Sequence, residues 1–189
     1  AVGGGTGTAR RTAGLPAWLK TNSSRGTGGT NPTVAGGVVN NAAGDATTAN
    51  RRAFTITLLN DVIEKVWTQG GTPKMLMVGP HNKTVVSGFA GIAANRYEIS
   101  KPEAGVIIGA ADIYVSDFGT VNIVANRFQR DRDAFVLDPE FYATTILRPI
   151  ESIELAKTGD AEKRMLLVEY GLKVKNEAAL GVIADLTDA

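Results

Sequence analysis

The segment RMLLVEYGLKVK, residues 164–175, limits the fold of this chain more than any other stretch. Its apolar and polar side chains alternate, which is the period of a β-strand with two different faces. At about 3.3 Å per residue it spans about 40 Å, roughly twice a usual strand. The preceding SIELA and the polar turn KTGDAEK predict one long hairpin. One face of its return strand would carry Leu166, Val168, Tyr170, Leu172 and Val174.

The segment TTANRRAFTITLLNDVIEKVWTQGG, residues 47–71, predicts the main helix. Apolar residues recur at three- and four-residue intervals from Phe54 to Trp67. About twenty residues at ~1.5 Å each give a rod of about 30 Å. Polar residues between the apolar ones leave one side in water. We expect a cap at Thr47, Thr48 or Asn50 and an end at Gly70–Gly71.

The remaining segments predict short strands and one further helix. PKMLMVG gives a strand from Lys74 to Val78, and Pro80 then opens a shorter helix. VIIG (106–109) and DIYVSDFGTVNIVAN (112–126) predict strands, the latter with a turn at Phe118–Gly119. The charged loop and apolar strand of RFQRDRDAFVLDPEFY end at Asp138–Pro139. AALGVIADL (178–186) predicts the last strand, so we expect an α+β fold.

Residues 1–45 differ in composition from the rest of the chain. They are rich in Gly, Asn, Thr and Ser and contain few large apolar side chains. Such a segment loses much backbone entropy on ordering and has little apolar surface to offset the loss. It is therefore either a flexible tail or linker, or an extended loop that orders against a neighbouring subunit. In the second case Trp18 and Leu19 are its anchors.

Composition excludes several classes of function. The 189 residues are enough for one substantial core or two small subdomains, and a net charge of +1 gives no electrostatic case for nucleic-acid or membrane binding by the whole chain. The absence of cysteine excludes disulfides and thiolate chemistry. No apolar run approaches the ~18 residues of a membrane-spanning helix.

We find no catalytic, cofactor-binding or metal-binding set of residues. His81 is the only histidine and follows Pro80 at a helix start, which favours a helix-terminus role or plain exposure. GGGTGTAR fits neither glycine-rich phosphate-binding pattern. In RDRD, residues 130–133, charges of opposite sign alternate, which indicates a solvated or intersubunit ion-pair strip and not a metal site.

The order of these parts resembles the coat-protein fold that major capsid proteins of tailed bacteriophages share with encapsulin shells. The segments TAGLPAWLKTN and RGTGGTNP are similar to the extended loop of one family of phage major head proteins. GGTPKMLMVGPHNKTVVSGF is similar to the exit of that family's spine helix into its axial domain. The block from Asp131 to Ile183 is similar to its C-terminal half almost throughout.

The resemblance implies a division of the chain into five ranges. We expect an extended loop at 1–45, a spine helix and peripheral-domain strand at 46–79, and an axial domain at 80–148. A long peripheral-domain hairpin would occupy 149–176, and 177–189 would return to the axial domain. The family carries a further N-terminal part with an arm, so we expect this chain to be a cleaved product or a fragment.

The resemblance implies a structural protein, not an enzyme, that assembles with copies of itself as hexamers and pentamers. The expected product is an icosahedral virion capsid, assembled in the host cytoplasm, that encloses double-stranded DNA non-specifically. Decoration and portal proteins are further expected partners, and no cofactor, metal or membrane is expected. Intersubunit contacts are expected at Trp18, Leu19 and Arg25 in the loop, Arg130 and Asp133 in the axial domain, and Glu154, Lys157 and Glu162 on the hairpin.

Alternative functions remain open from the sequence. An encapsulin-like compartment with an enzyme cargo would use the same fold. An α+β enzyme or ligand-binding domain with a flexible N-terminal tail would instead show a formed pocket and a small oligomer. A tail or decoration protein of the same virion is a third alternative. The nucleic-acid content and the mass of the purified protein distinguish these possibilities.

Overall fold

The computed structural model describes residues 12–89, 112–157 and 159–188. The described residues form a mixed α+β structure in which a central sheet carries helix α1, Ile56–Thr68, and helix α2, Pro80–Ser87. This agrees with the predicted α+β class. Two separate two-stranded elements accompany the sheet. The predicted strand at 106–109 lies outside the described residues.

The central sheet has six strands in the order β1-β10-β7-β4-β6-β5. Pairs β1/β10 and β4/β6 are parallel, and the other neighbours are antiparallel. The strands come from four of the five predicted ranges, and the division into domains stays a prediction. Their bounds are β1 Asn22–Ser24, β4 Met75–Val78, β5 Ile113–Ser116, β6 Gly119–Ala125, β7 Ala134–Leu137 and β10 Gly181–Ile183.

Helix α1 is shorter than the sequence indicates. Its thirteen residues begin after Thr55, whose hydroxyl accepts a hydrogen bond from the Leu58 N–H, so the predicted caps at Thr47, Thr48 and Asn50 are wrong. At ~1.5 Å per residue the helix spans about 20 Å and not 30 Å. Its end is as predicted, because Gly70 adopts a φ of +84° and the Gly70 and Gly71 amides bond back to the last turn.

The segment before α1 is extended because it pairs with the end of the chain. Arg52 forms an isolated parallel bridge with Leu186. The Arg52 N–H donates to the Asp185 carbonyl at 3.0 Å, and the Thr187 N–H donates to the Arg52 carbonyl at 3.0 Å. These long-range bonds satisfy backbone groups that a longer helix would have used internally. The periodicity of the sequence continues through this segment, but the tertiary pairing determines its conformation.

Two apolar clusters cover the two faces of the sheet. The larger one lies under α1 and contains the buried residues Leu59, Val62, Ile63 and Val66 of that helix. The smaller one lies on the opposite face, around Phe135, Leu137, Leu180 and Val182. Because β7 and β10 are buried on both faces, these strands are the centre of the core.

Residues 19–24 of the glycine-rich segment belong to the core of their own chain. Leu19 is 1% exposed and packs in the smaller apolar cluster, and strand β1 pairs in parallel with the central strand β10. The Asn22 amide donates to the carbonyls of Ala178 and Leu180 at 2.5 and 3.2 Å. The expectation that this stretch packs no core without a neighbour is therefore wrong for residues 19–24.

The predicted long hairpin is present and is longer than expected at its first strand. β8 runs from Tyr142 to Glu154 and β9 from Arg164 to Val174. The first strand therefore begins in the range 80–148, which the resemblance gives to the axial domain. The register shifts between Ile146 and Arg148 and again between Arg148 and Glu151, around Pro149. Proline lacks an N–H to donate, so it fits a bulge in an edge strand.

Candidate functional site

Most of the exposed large apolar side chains of the described residues lie on the β8–β9 hairpin. Leu166 and Ile150 are each 75% exposed and Tyr170 is 66% exposed. A two-stranded hairpin alone is marginally stable in water, so such side chains need a partner surface to contribute to stability. We call these residues the hairpin surface: Ile146, Leu147, Ile150, Ile153, Leu155, Met165, Leu166, Val168 and Tyr170.

The base of the hairpin is fixed to the body of the protein. Tyr142 and Val174 face each other in the register and pack against the smaller apolar cluster. The Lys175 N–H donates to the Phe141 carbonyl at 2.7 Å. Side chains at alternate positions of a strand share a face, so Leu172, Tyr170, Val168 and Leu166 extend the face of Val174 toward the tip. The part of the hairpin surface formed by Leu166, Val168 and Tyr170 is thus continuous with the core at its base.

The predicted contact residues on the hairpin lie near its exposed tip. Lys157 and Glu162 pair with each other at 3.5 Å, and both side chains are more than 60% exposed. An exposed pair of this kind contributes about 0–1 kcal/mol to stability. Glu154 is exposed and lies opposite Arg164 in the register. Their role between subunits stays a prediction.

A second element projects from the glycine-rich segment. Strands β2, Thr33–Ala35, and β3, Val38–Asn41, form a small hairpin closed by Gly36 and Gly37, both with positive φ. Backbone bonds of 2.9 and 3.0 Å join Thr30 and Gly44 at its base. Residues 26–44 contain no charged side chain. We call residues 27–45 the ribbon. Because it carries no charge before Asp45, the ribbon can lose its water at low electrostatic cost.

A chain of ion pairs lies beside the base of the ribbon. The Arg130 guanidinium donates to both carboxylate oxygens of Asp45 at 2.9 Å, a bidentate arrangement, and also to Asp133. Arg132 contacts Asp45 and Asp188 at 3.4 Å each. The predicted ion-pair strip therefore pairs within this chain, although Asp131 instead accepts from the His81 N–H at the start of α2.

Burial shapes the ionisation of these groups. It raises the pKa of the Asp133 carboxyl, because desolvation outweighs the hydrogen bond from Arg130. Burial also lowers the pKa of Arg25, against the opposing effect of Asp185 and other carboxylates. The pKa of Arg130 is raised, since burial is outweighed by its bonds to Asp133 and Asp45. The cluster is therefore a structural network whose charges compensate one another.

The predicted contact residues of the loop and of the axial domain are enclosed to different degrees. Leu19 and Asp133 are each 1% exposed, so their side chains are enclosed by this chain itself. Trp18 and Arg25 are half-buried, and the Arg25 Nε–H donates to the Asn31 side chain at 2.6 Å. Arg130 is 47% exposed. A contact role for these residues stays a prediction.

The first-strand part of the hairpin surface is the feature that sequence reasoning missed. Ile146, Leu147 and Ile150 come before the segment from which the hairpin was predicted. The signal was present in YATTILRPIESIEL, which is rich in β-branched residues and contains none of the usual turn pairs. Pro149 and the two register shifts interrupt the alternation of apolar and polar residues. The alternation therefore does not predict that the first strand begins as early as Tyr142.

Metal-binding side chains do not cluster in the part of the chain that the structure describes. Among the described residues, no group of three or more His, Asp or Glu side chains could hold a metal ion. His81 is half-buried at the first turn of α2. Neither helix of the described ranges has the length and apolar character to cross a bilayer. The described residues thus carry two hairpins, one with an exposed apolar surface and one without charge before Asp45.

Comparison with known proteins gives the family. The sequence pattern of a family described as "SU10 major capsid protein" matches residues 1–187, so the chain belongs to this family. The resemblance to major capsid proteins is thereby confirmed, and the family gives the chain a structural role in a virion capsid. It also favours this role over an encapsulin-like compartment. No curated protein matches the chain.

Solved structures give a more distant similarity. Ten chains match, among them one in "Crystal structure of virus-like particle from Pyrococcus furiosus". That chain is 13% identical, the match covers 70% of this chain and 54% of that chain, and the TM-score is 0.38. This protein therefore spans about half the length of that chain.

Proposed function

We propose that this protein is a shell subunit that assembles with copies of itself into a closed icosahedral capsid around double-stranded DNA. The observation that carries the proposal is the hairpin surface, whose nine large apolar side chains are exposed in the single chain. Membership of a major capsid protein family supports a second copy as the partner that covers this surface. Hexamers and pentamers are the expected assembly units.

The energetics favour contacts that are individually modest. Full burial of a Leu, Ile or Val side chain contributes about 1.5–3 kcal/mol, and association costs several kcal/mol in lost motion. A contact that buries only a few of these side chains is therefore weak, but symmetry repeats it around every assembly unit and closes the shell. The association of a subunit with the growing shell stays reversible until several contacts form together. The ribbon supplies a second contact, since its uncharged tip projects away from the body.

The enclosed DNA is held without sequence recognition. The chain has a net charge of +1, so one subunit neutralises little of the DNA charge. We therefore expect enclosure by the shell and not tight binding by single subunits. Purified particles would contain nuclease-protected double-stranded DNA, and particles that contain only protein cargo would contradict this part of the proposal.

The experiment that tests self-assembly places a charge on the hairpin surface. Leu166→Asp leaves the unassembled chain stable, with a change in unfolding free energy within about 0.5 kcal/mol, because the side chain is exposed. It should abolish or strongly reduce particles in negative-stain images. Thr57→Asp is the matched control, since it adds the same charge at the exposed start of α1. Normal particles from Leu166→Asp would overturn the proposal.

A further inference from the structure

The two ends of the ribbon meet at one buried carboxylate. Asp185 is 1% exposed. Its Oδ2 accepts from the Gly26 N–H at 3.1 Å, and its Oδ1 accepts from the Ala46 N–H at 2.7 Å. Gly26 and Ala46 flank the ribbon on either side. A single side chain from the end of the protein therefore joins the residues at which the ribbon leaves and re-enters the body.

Asp185 is itself held in a fixed position. Its φ of +59° makes it the one non-glycine residue of the described chain in the left-handed region. Its neighbours Ala184 and Leu186 are buried in the apolar clusters on opposite faces of the sheet. The Leu186 N–H donates to the Arg132 carbonyl at 3.0 Å. A residue in this conformation persists only where its surroundings determine it, and these contacts do so.

Gly26, just before the ribbon, and Gly29, within it, make room for this carboxylate. A Cβ on Gly29 would lie 2.3 Å from Asp185 Oδ2. A Cβ on Gly26 would lie 2.5 Å from the Asn50 carbonyl oxygen and 3.1 Å from Asp185 Cβ. Neither glycine has a positive φ, so close approach and not backbone freedom requires it. The RGTGG sequence thus has a packing role at its ends, which its composition alone does not indicate.

We propose that Asp185 is a positioning residue that holds both ends of the ribbon and so sets the direction in which the ribbon projects toward a neighbouring subunit. The second half of this inference, the direction of the ribbon toward a neighbouring subunit, rests on the proposed function. The first half, the attachment of the ribbon, concerns the single chain alone. The bidentate pair of Arg130 with Asp45 acts beside it on the returning end.

The test removes the charge and keeps the shape. In Asp185→Asn the amide nitrogen faces one of the two N–H donors, so one hydrogen bond is lost and the other weakened. Asparagine tolerates positive φ, so the backbone is retained. Hydrogen exchange of the unassembled chain should show about tenfold or faster exchange at Gly26 and Ala46. Asp117→Asn, at an exposed position in the turn between β5 and β6, should leave both amides unchanged.

A second variant reaches the same site by a different route. Gly29→Ala keeps the carboxylate but pushes a methyl group into Oδ2, so it should also speed exchange at Gly26 and Ala46. Gly14→Ala is its control, because a Cβ there meets only Pro16 at 3.7 Å. Unchanged exchange in both Asp185→Asn and Gly29→Ala would overturn the attachment.

Assembly distinguishes this proposal from the proposed function. Asp185→Asn should form fewer or aberrant particles under conditions in which the wild-type chain assembles normally. Equal assembly of the two, with the Gly26 and Ala46 amides exposed in the variant, would refute the positioning role. If the wild-type chain forms no particles, the proposed function fails, and the exchange rates still decide whether Asp185 attaches the ribbon.

Discussion

Replacing Leu19 by alanine tests whether this residue belongs to the core or to an intersubunit contact. The side chain is 1% exposed among Phe135, Leu137, Leu180 and Val182. Large-to-small changes at such positions cost about 2–5 kcal/mol, from lost burial and the remaining cavity. In a chain of this size 1 kcal/mol corresponds to about 2–4 °C in Tm, so Leu19→Ala should lower the Tm of the unassembled chain by about 4–20 °C.

The assay is thermal unfolding followed by circular dichroism, at a concentration at which no particles form. Leu147→Ala is the control, since this leucine is 70% exposed on the hairpin surface and its loss should change stability by less than about 0.5 kcal/mol. An intersubunit anchor would behave in the opposite way. A Leu19→Ala chain with wild-type Tm that fails only in assembly would refute the core assignment.

Two further predictions concern the end of α1 and the buried acid. Gly71→Ala should lower the free energy of unfolding by about 2–3 kcal/mol, because its Cβ would lie 2.7 Å from the Ala179 carbonyl oxygen. Gly70→Ala should lower it by only about 1 kcal/mol, because the position has a positive φ but open space around it. The reverse order in denaturant unfolding would contradict this. The raised pKa of Asp133 means that its protonation favours the folded state, fully below the ordinary value of 3.8 and progressively less as pH rises through the folded pKa. The wild-type chain should therefore gain stability relative to Asp133→Asn as the pH is lowered toward 3.8, and a constant or falling difference would refute this.

The sequence predicts best the helices and strands whose conformation is determined by their own residues. The three- and four-residue spacing of apolar residues predicts α1, the Gly70–Gly71 pair predicts its end, and Pro80 predicts the start of α2. The alternation in residues 164–175 found β9. In each case the side chains that determine the element lie within the element itself, so the sequence carries the signal directly.

The errors lie where distant residues determine the conformation. Arg52 is extended because it pairs with the backbone around Leu186, and strand β1 forms on the edge of β10 without any apolar alternation of its own. The Asp185 contacts join residues 139 and 159 positions apart. No window of the sequence contains both partners of such a contact. The glycine-rich composition therefore indicated flexibility where Gly26 and Gly29 serve close packing.

The exposure of the hairpin surface could be predicted only in part. The alternation gives the face that Leu166, Val168 and Tyr170 share, and does not say whether the rest of the chain covers it. The structure shows that the body packs against the base of the hairpin at Tyr142 and Val174 and leaves the remainder open. That difference between a buried and an open apolar face is what separates a core strand from a contact surface.

The most direct test of the account is the mass of the purified chain in solution, measured by light scattering, with negative-stain images of the same sample. The account predicts closed particles in the megadalton range, built through the hairpin surface. A single species at the 19.8 kDa of one chain, unchanged as concentration is raised, would contradict the claim that this chain assembles into a shell.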